Sequence, residues 1–418
     1  MKKLQARLRL MVSLQKTFLE FFAGVGLVRL GLEPSGWRCV FANDLDPKKQ
    51  ETYELNFSTD DPAASSDFLL EDIWKIGSEQ LPGAAFLATA SFPCVDLSVA
   101  GKRNGLKGSE SGTFYAFIEI LISLKRDGNA PKVVMLENVG GFLTANGGED
   151  VRTALKSLSA LGYVQDLFLL DAIHFTPQSR PRVFVIGVEQ DLAPSVMVLR
   201  SRQKLLGRWQ AIIDGNPAIR PRAVTKVMNQ NLDVEWGAFR FPAPPMRATA
   251  LHEVVERLAH DDERWWPEDK VTKLVSQMAD RDLERASNLM RGDTLQFATV
   301  YKRVRQGRTR AEVRNDGVAG CLRTPRGGSS KQILLQGRRG EMRARWMTPR
   351  EYGRLQGVPD AYRIPPNVIQ GLFAFGDAVC VPAISWIARN ALDPCYEHYV
   401  AQQKARNAQP DAHQERSG

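Results

Sequence analysis

A chain of 418 residues, 43% apolar and 25% charged, has the composition of an ordinary soluble protein and enough length for two domains. No run approaches the roughly 18 uncharged apolar residues that cross a bilayer, so no membrane contact is expected. The five cysteines, Cys39, Cys94, Cys321, Cys380 and Cys395, form no Cys-x-x-Cys pair, which argues against structural metal and a disulfide framework and fits a reducing cytoplasm.

Met1 to Lys16 is basic, with its apolar residues interrupted by charge, and does not read as a secretory signal. Met11 offers an alternative start of translation. From there, short apolar runs alternate with amphipathic stretches, the pattern of a parallel sheet wrapped by helices. The first run, Thr17–Phe22, is followed by Ala23-Gly24-Val25-Gly26 and a helix-like segment from Leu27. Glycines in a strand-to-helix turn admit a ligand close to the backbone, although a lone Gly-x-Gly is also an ordinary turn.

The second run, Arg38–Ala42, ends in Asn43-Asp44-Leu45-Asp46 about 20 residues on, where an acid can accept hydrogen bonds from ribose hydroxyls. With no third glycine and no phosphate-binding lysine, the pair suggests an adenosine cofactor without a pyrophosphate. Asp72 sits where an adenine amino group is read, or else caps a helix.

A third run, Phe86–Ala90, leads into Ser91-Phe92-Pro93-Cys94. A thiol at the carboxyl end of a buried strand is either a nucleophile or an inert core residue. Helical spacing covers Phe114–Lys125 and Val151–Leu161, on either side of the strand Lys132–Leu136. That strand ends in Glu137, where desolvation lets a carboxyl keep its proton near neutrality; pairing with a basic neighbour is the alternative. Gln178-Ser179-Arg180-Pro181-Arg182 precedes the strand Val183–Val188, and its two arginines are candidates to grip a carbonyl or phosphate.

From about Asp191 to Gln336 the alternation degrades into Pro clusters, one helical stretch (Ala250–Ala259) and basic irregular sequence, which suggests a second domain. The net charge is +9, yet Tyr301 to Arg350 holds 14 basic and 3 acidic residues, leaving the remainder near −2. Such a segment reads as a polyanion contact surface or, with less weight, as a well-solvated face. Regular character returns at Thr348–Gln356 and Phe375–Ala391, and the polar tail from Ala401 is expected to be disordered.

In this order and spacing, Phe22-Ala23-Gly24-Val25-Gly26, Asp44, Asp72, Pro93-Cys94, Glu137-Asn138-Val139 and Gln178-Ser179-Arg180-Pro181-Arg182 resemble the motifs of the DNA (cytosine-5) methyltransferases. Arg345–Glu351, Arg354–Asp360 and Phe375-Gly376-Asp377-Ala378-Val379 resemble that family's last two motifs. The resemblance covers roughly residues 16–190 and 320–395. It implies an α/β fold, a Rossmann-like S-adenosylmethionine-dependent methyltransferase sheet with a second, smaller target-recognition domain. The expected division is 1–190, completed by 368–400, for catalysis and cofactor, 191–367 for target recognition and hinge, and 401–418 for the tail.

By the same resemblance Cys94 is the nucleophile, Glu137 the donor at ring nitrogen 3 and Arg182, with Arg180, the holder of the base. Phe22, Gly24, Gly26, Asp44, Leu45, Asp72, Ile73, Pro93, Asp377 and Val379 are implied at the cofactor. Ser98, Lys102, Gln178, Arg323 and Arg326 are implied at the DNA. The Gly-, Ser- and Lys-rich stretch Val95–Gly112 suits a lid over the duplex. Arg323 and Arg326 read guanine edges or grip phosphates, the latter having the larger share.

Three departures from the family pattern stand out: Leu27 for a small residue, Leu45 for an aromatic residue, and Asp377 for asparagine. The implied activity is methylation of a flipped-out cytosine in a specific duplex sequence. The implied setting is a cytoplasmic, nucleoid-associated monomer of a restriction or phage-defence system with a cognate endonuclease. RNA as the substrate, or DNA binding without catalysis, are the competing readings.

Overall fold

The computed structural model describes residues 15–58, 67–93, 112–200, 206–305, 307–325 and 331–408. Seven strands form the main sheet: β1 (Thr17–Phe21), β2 (Arg38–Asp44), β3 (Phe68–Leu70), β4 (Leu87–Ala90), β5 (Val133–Val139), β6 (Tyr163–Asp171) and β7 (Pro181–Glu189). Their order is β3-β2-β1-β4-β5-β7-β6, parallel except at β7, which runs antiparallel to both neighbours. β1, β4 and the first six residues of β5 are buried throughout, which explains their near-continuous apolar sequence. One sheet face packs α1 (Leu27–Leu32), α2 (Pro47–Phe57) and the C-terminal helices, and the other packs α3 (Thr113–Arg126) and α4 (Glu149–Ala160). The chain reverses its strand order between β1 and β4, and ligand crevices of open α/β sheets form at such points.

The second sheet lies where irregular sequence was expected. After the short pair β8 (Val198–Leu199) and β9 (Gly237–Ala238), four antiparallel strands follow: β10 (Gln296–Arg305), β11 (Arg308–Arg314), β12 (Ile333–Arg338) and β13 (Glu341–Trp346), ordered β11-β10-β12-β13. Arginines on the open faces of these strands break the apolar signature, while Ala298, Val300, Ala311, Val313, Ile333 and Leu335 fill a small core with Trp266 and Leu274. That core begins only near Trp266. Residues 206–241, within the 191–367 segment expected for target recognition, pack on the main sheet through Trp209, Ile213, Val224 and Trp236.

The predicted helix Ala250–Ala259 shrinks to one turn, Leu251–Val254, because Glu256 just beyond it is drawn to Thr348 and Arg345. A helix at Asp393–Ala408 carries order into the tail expected to be disordered; residues 409–418 lie outside the described part. The helical run Val368–Asn407 is long and apolar enough to cross a membrane by length and composition, but 72% of its apolar window is buried inside the protein. It serves as core.

Candidate active site

At the carboxyl end of β1 the backbone makes a tight turn. Phe22, Gly24 and Gly26 all take positive φ, at 58°, 58° and 76°. The two glycines serve different ends. A Cβ on Gly26 would meet the Phe57 ring at 2.4 Å and the Tyr53 ring at 2.9 Å, so helix packing forbids a side chain there. A Cβ on Gly24 would meet nothing within 4 Å, which leaves an open cradle in front of the turn. Asp44, at the end of neighbouring β2, accepts from the Gly24 amide at 2.9 Å and the Asp46 amide at 3.0 Å, with Lys49 Nζ at 3.7 Å. It therefore holds the cradle's shape.

Leu45 follows with 67% of its surface exposed, an apolar side chain offered to solvent at the same edge. Asn43, which the sequence did not single out, donates to the carbonyls of Leu69 and Glu71 and ties β2 to the segment bearing Asp72. Asp72 caps the single turn Ile73–Lys75, accepting from the Trp74 amide at 3.1 Å. Ile73 is buried in the core on the α3 side. Val379 is buried, and Asp377 is exposed at the end of the helix Val368–Gly376, close enough for its charge to act on Lys49, Glu137 and Arg180.

The next strand end presents the thiol turn. The Phe92 ring is buried against Phe114 and Phe142, and the Asn138 side-chain amide donates to the Phe92 carbonyl at 3.3 Å. Ser91 and Pro93 thus continue a firmly held segment. Cys94, Ser98, Lys102, the predicted lid up to residue 111 and Arg326 lie outside the described residues.

The antiparallel turn of β7 creates the charged cluster. Because β7 runs against β5, its first residues lie beside the last residues of β5, with Arg182 opposite Val139. Arg182 Nε sits 3.1 Å from Glu137 Oε1, and both side chains are nearly buried. Burial pushes the Glu137 carboxyl above its ordinary value, against the opposing pull of Arg182 and Arg180.

Arg180 and Gln178 are placed more deeply than a direct contact with DNA requires. Arg180 is 1% exposed, and its Nη1 donates to the carbonyls of Leu322 at 2.8 Å and Gly376 at 3.3 Å and to Cys321 Sγ at 3.4 Å. Gln178 is fully buried, donating to the Leu355 carbonyl and the Gln356 side chain and accepting from the Leu322 amide. Its side chain is spent inside the protein, contrary to the substrate contact expected of it. Together the two residues fasten the strap Val318–Pro325, which leaves β11 and returns to the main sheet. A Cβ on Gly376 would lie 2.5 Å from the Thr324 amide, so this glycine is what lets the strap settle. Arg323 is exposed on it. Spacing alone did not reveal that Cys321 would face Arg180 and Arg182.

The residues 348–360 do structural work. Thr348 and Glu351 form a capping box, Arg345 donates to both Glu351 oxygens at 2.8 and 2.5 Å, and Gln356 donates to the Phe375 and Ala378 carbonyls.

The profile of the C-5 cytosine-specific DNA methylase family matches residues 16–393. The chain belongs to this family. It is accordingly a methyltransferase, as the motif order implied. Among its relatives, the type II methyltransferase M.DsaV of Dactylococcopsis salina is 26% identical over 392 residues, 93% of this chain and 89% of that one. M.HhaI of Haemophilus parahaemolyticus is 26% identical over 382 residues, 89% of this chain and 93% of its own. Identity rises to 35% with M.BsuFI of Bacillus subtilis, but over 177 residues, 42% of this chain and 40% of that one. The Schizosaccharomyces pombe Dnmt2 methyltransferase superposes with a TM-score of 0.55 at 15% identity, covering 91% of this chain and 99% of that one. A putative DNA modification methyltransferase encoded within an Escherichia coli prophage gives 0.53 at 16%, with 90% and 98% covered. These two likenesses speak for the fold.

Proposed function

We propose that this methyltransferase modifies carbon 5 of a flipped-out cytosine in a specific duplex DNA sequence, through a covalent adduct with Cys94. The observation that carries the reading is the Glu137–Arg182 pair, 3.1 Å apart at the strand edge that also pins the Phe92-Pro93 turn. Cytosine carbon 5 is too electron-poor to take a methyl group unaided. Addition of the Cys94 thiolate to carbon 6 makes the ring an enamine, dividing one hard step into easier ones. Glu137, whose carboxyl is pushed above its ordinary value by burial, supplies the proton or strong hydrogen bond at ring nitrogen 3, and Arg182 donates to the base carbonyl. Loss of the carbon 5 proton then expels the thiolate. Flipping the base costs about a few kcal/mol, which the closing cleft must offset.

S-adenosylmethionine supplies the electrophilic methyl group. The strand-end cradle suits its adenosine: an open face at Gly24, the ordered carboxylate of Asp44 beside it, and the exposed apolar Leu45. Asp377, with its charge in range of Lys49 and Glu137, would attract the positive sulfonium. The sheet β10–β13 with its strap is the target-recognition module, and Arg323 meets DNA there. The named relatives are type II methyltransferases, which supports a role as the modification partner of a restriction endonuclease in the bacterial cytoplasm. The protein acts as a monomer.

Methylome sequencing of an otherwise unmethylated host expressing the protein tests this. A new 5-methylcytosine motif is expected, together with a covalent adduct on duplex DNA containing 5-fluorocytosine. A host without a new motif, or methyl transfer to tRNA in preference to duplex DNA, overturns the reading.

A further inference from the structure

The four cysteines of the described residues divide into two kinds. Cys39, Cys380 and Cys395 are buried in the apolar core, and burial pushes the first two thiols up to about 12 and about 11 and the third higher still. Cys321 is half-buried and faces the catalytic cluster. Its Sγ lies 3.4 Å from Arg180 Nη1 and 4.0 Å from Arg182 Nη1, and its own proton has a weak acceptor in the Leu322 carbonyl at 3.4 Å.

The strap that bears it is fixed on both sides. Pro177 and Ser179 exchange backbone hydrogen bonds with Ala319 at 2.7 and 2.9 Å, and Gly376 seats Thr324. The backbone of the strap therefore holds Cys321 beside the two guanidinium groups.

Arg180 adds an independent observation. It is 99% buried, yet its Nε and Nη2 have no hydrogen-bond partner, although the same guanidinium donates to Cys321 through Nη1. Buried donors of a charged group left without acceptors cost free energy, and an anion beside them removes that cost. Burial raises the Cys321 thiol, but Arg180, then Arg182, outweigh it and bring the group below its ordinary value.

We propose that Cys321 is a second reactive thiol of the cleft, a modification site for hydroperoxides and soft alkylating electrophiles, held beside the Glu137–Arg182 pair by Arg180. With a hydroperoxide, the thiolate sulfur attacks the O–O bond and keeps one oxygen as a sulfenic acid. The displaced hydroxide takes up a proton and leaves as water, or leaves as the alcohol from an organic peroxide. Sulfur is oxidised by two electrons and the peroxide is reduced by two. An ionised sulfenate brings an acceptor oxygen beside the Arg180 guanidinium, whose Nη1 already donates to the sulfur. It also gives Arg182 an anion other than Glu137. Resting on the reading of this cleft as the cytosine site, modification at Cys321 stops methyl transfer while Cys94 stays intact.

The test uses the full-length protein. Limiting iodoacetamide, or hydrogen peroxide followed by a sulfenic-acid-trapping diketone, is applied without DNA and the labelled peptides are weighed. Cys321 is expected to label at least about tenfold faster than Cys39, Cys380 and Cys395, with alkylation persisting below the pH at which ordinary thiols fall silent. Labelling no faster than those three overturns the proposal.

In the second arm, Cys321→Ser and the unsubstituted protein are treated with peroxide, and each is read against its own untreated activity. The unsubstituted enzyme is expected to lose most of its methyl transfer and the serine variant little. Equal loss in both, with the adduct mapped to Cys94, overturns the functional consequence. Labelling is read on protein alone, so a failure of the DNA methylation reading is distinguishable from a failure of this one.

Discussion

The seven-stranded sheet and the sheet β10–β13 handle charge in opposite ways. In the first, most buried ionisable groups are paired, as with Glu137 and Arg182 near a strand end, or Asp166 and Arg220 within the sheet at 2.5 Å. In the second, charges crowd the open face. Arg303 stands directly opposite Arg310, both exposed, and the register also sets Arg305 opposite Arg308. Like charges across a strand pair destabilise a sheet, and Glu312, 3.8 Å from Arg303, offsets part of that cost; the remaining positive charge agrees with the proposed contact with DNA. One region holds a few groups in fixed positions for chemistry, and the other offers positive charge whose geometry matters less. The strap carrying Cys321 joins the two.

If that division is right, substitutions in the main sheet change the chemistry and those in the second change binding. The largest effect is expected from Cys94→Ser, which should reduce methyl transfer to background and abolish the 5-fluorocytosine adduct on denaturing gels. An adduct that survives this substitution would place the nucleophile elsewhere.

Glu137→Gln should lower kcat by about 10²- to 10⁴-fold, the usual contribution of a positioned acid. Because Glu137 is raised above its ordinary value, the donor form is present at lower pH and is lost as pH rises through the folded-state value. The rate of the unsubstituted enzyme should therefore fall on the alkaline side of that titration, and a pH profile of the glutamine variant should lack this limb.

Glu351→Ala leaves Arg345 buried and unpaired at the junction of the two sheets, and a cost of about 3–5 kcal/mol is expected in urea unfolding. A variant that loses activity at unchanged stability would show that the junction acts on the site directly.

Glu20, fully buried on β1 with neither carboxyl oxygen hydrogen-bonded, is pushed up by burial to about 8. The folded state keeps a proton there that the unfolded chain releases above its ordinary 4.5, so this stability is present at acid pH and is lost as pH rises toward 8. Glu20→Gln should flatten that part of the stability–pH curve, read by thermal unfolding.

The smallest expected effect is that of Arg310→Gln. It should lower the slope of log binding constant against log salt by roughly 1 and leave kcat in place. Relief of the Arg303 repulsion should raise stability by about a few tenths of a kcal/mol. An unchanged salt slope would remove this face from the DNA contact.

The sequence determined the strands that burial makes apolar on both faces, β1, β4 and β5, and the residues at their ends. It also determined the family, because motif order survives where overall identity has fallen. It did not show β6, whose Gln165 and Asp166 interrupt the apolar run: Asp166 is buried only because Arg220, 54 residues on, arrives to pair with it. Nor did it show β10–β13, whose arginines disguise strands that pair with one another, although β12 is buried on both faces through Ile333, Leu334 and Leu335.

Asp72 caps the turn Ile73–Lys75 through Oδ1, one of the two roles the sequence left open, and Gln178, expected at the DNA, is spent within the protein. These outcomes depend on which distant segment fills the space beside a side chain. Local pattern decides how a strand end is built. Only the tertiary structure decides what is brought to it, because the partners of such hydrogen bonds and ion pairs lie far apart in the chain and meet only in the closed fold, as with Cys321 and Arg180, 141 residues apart.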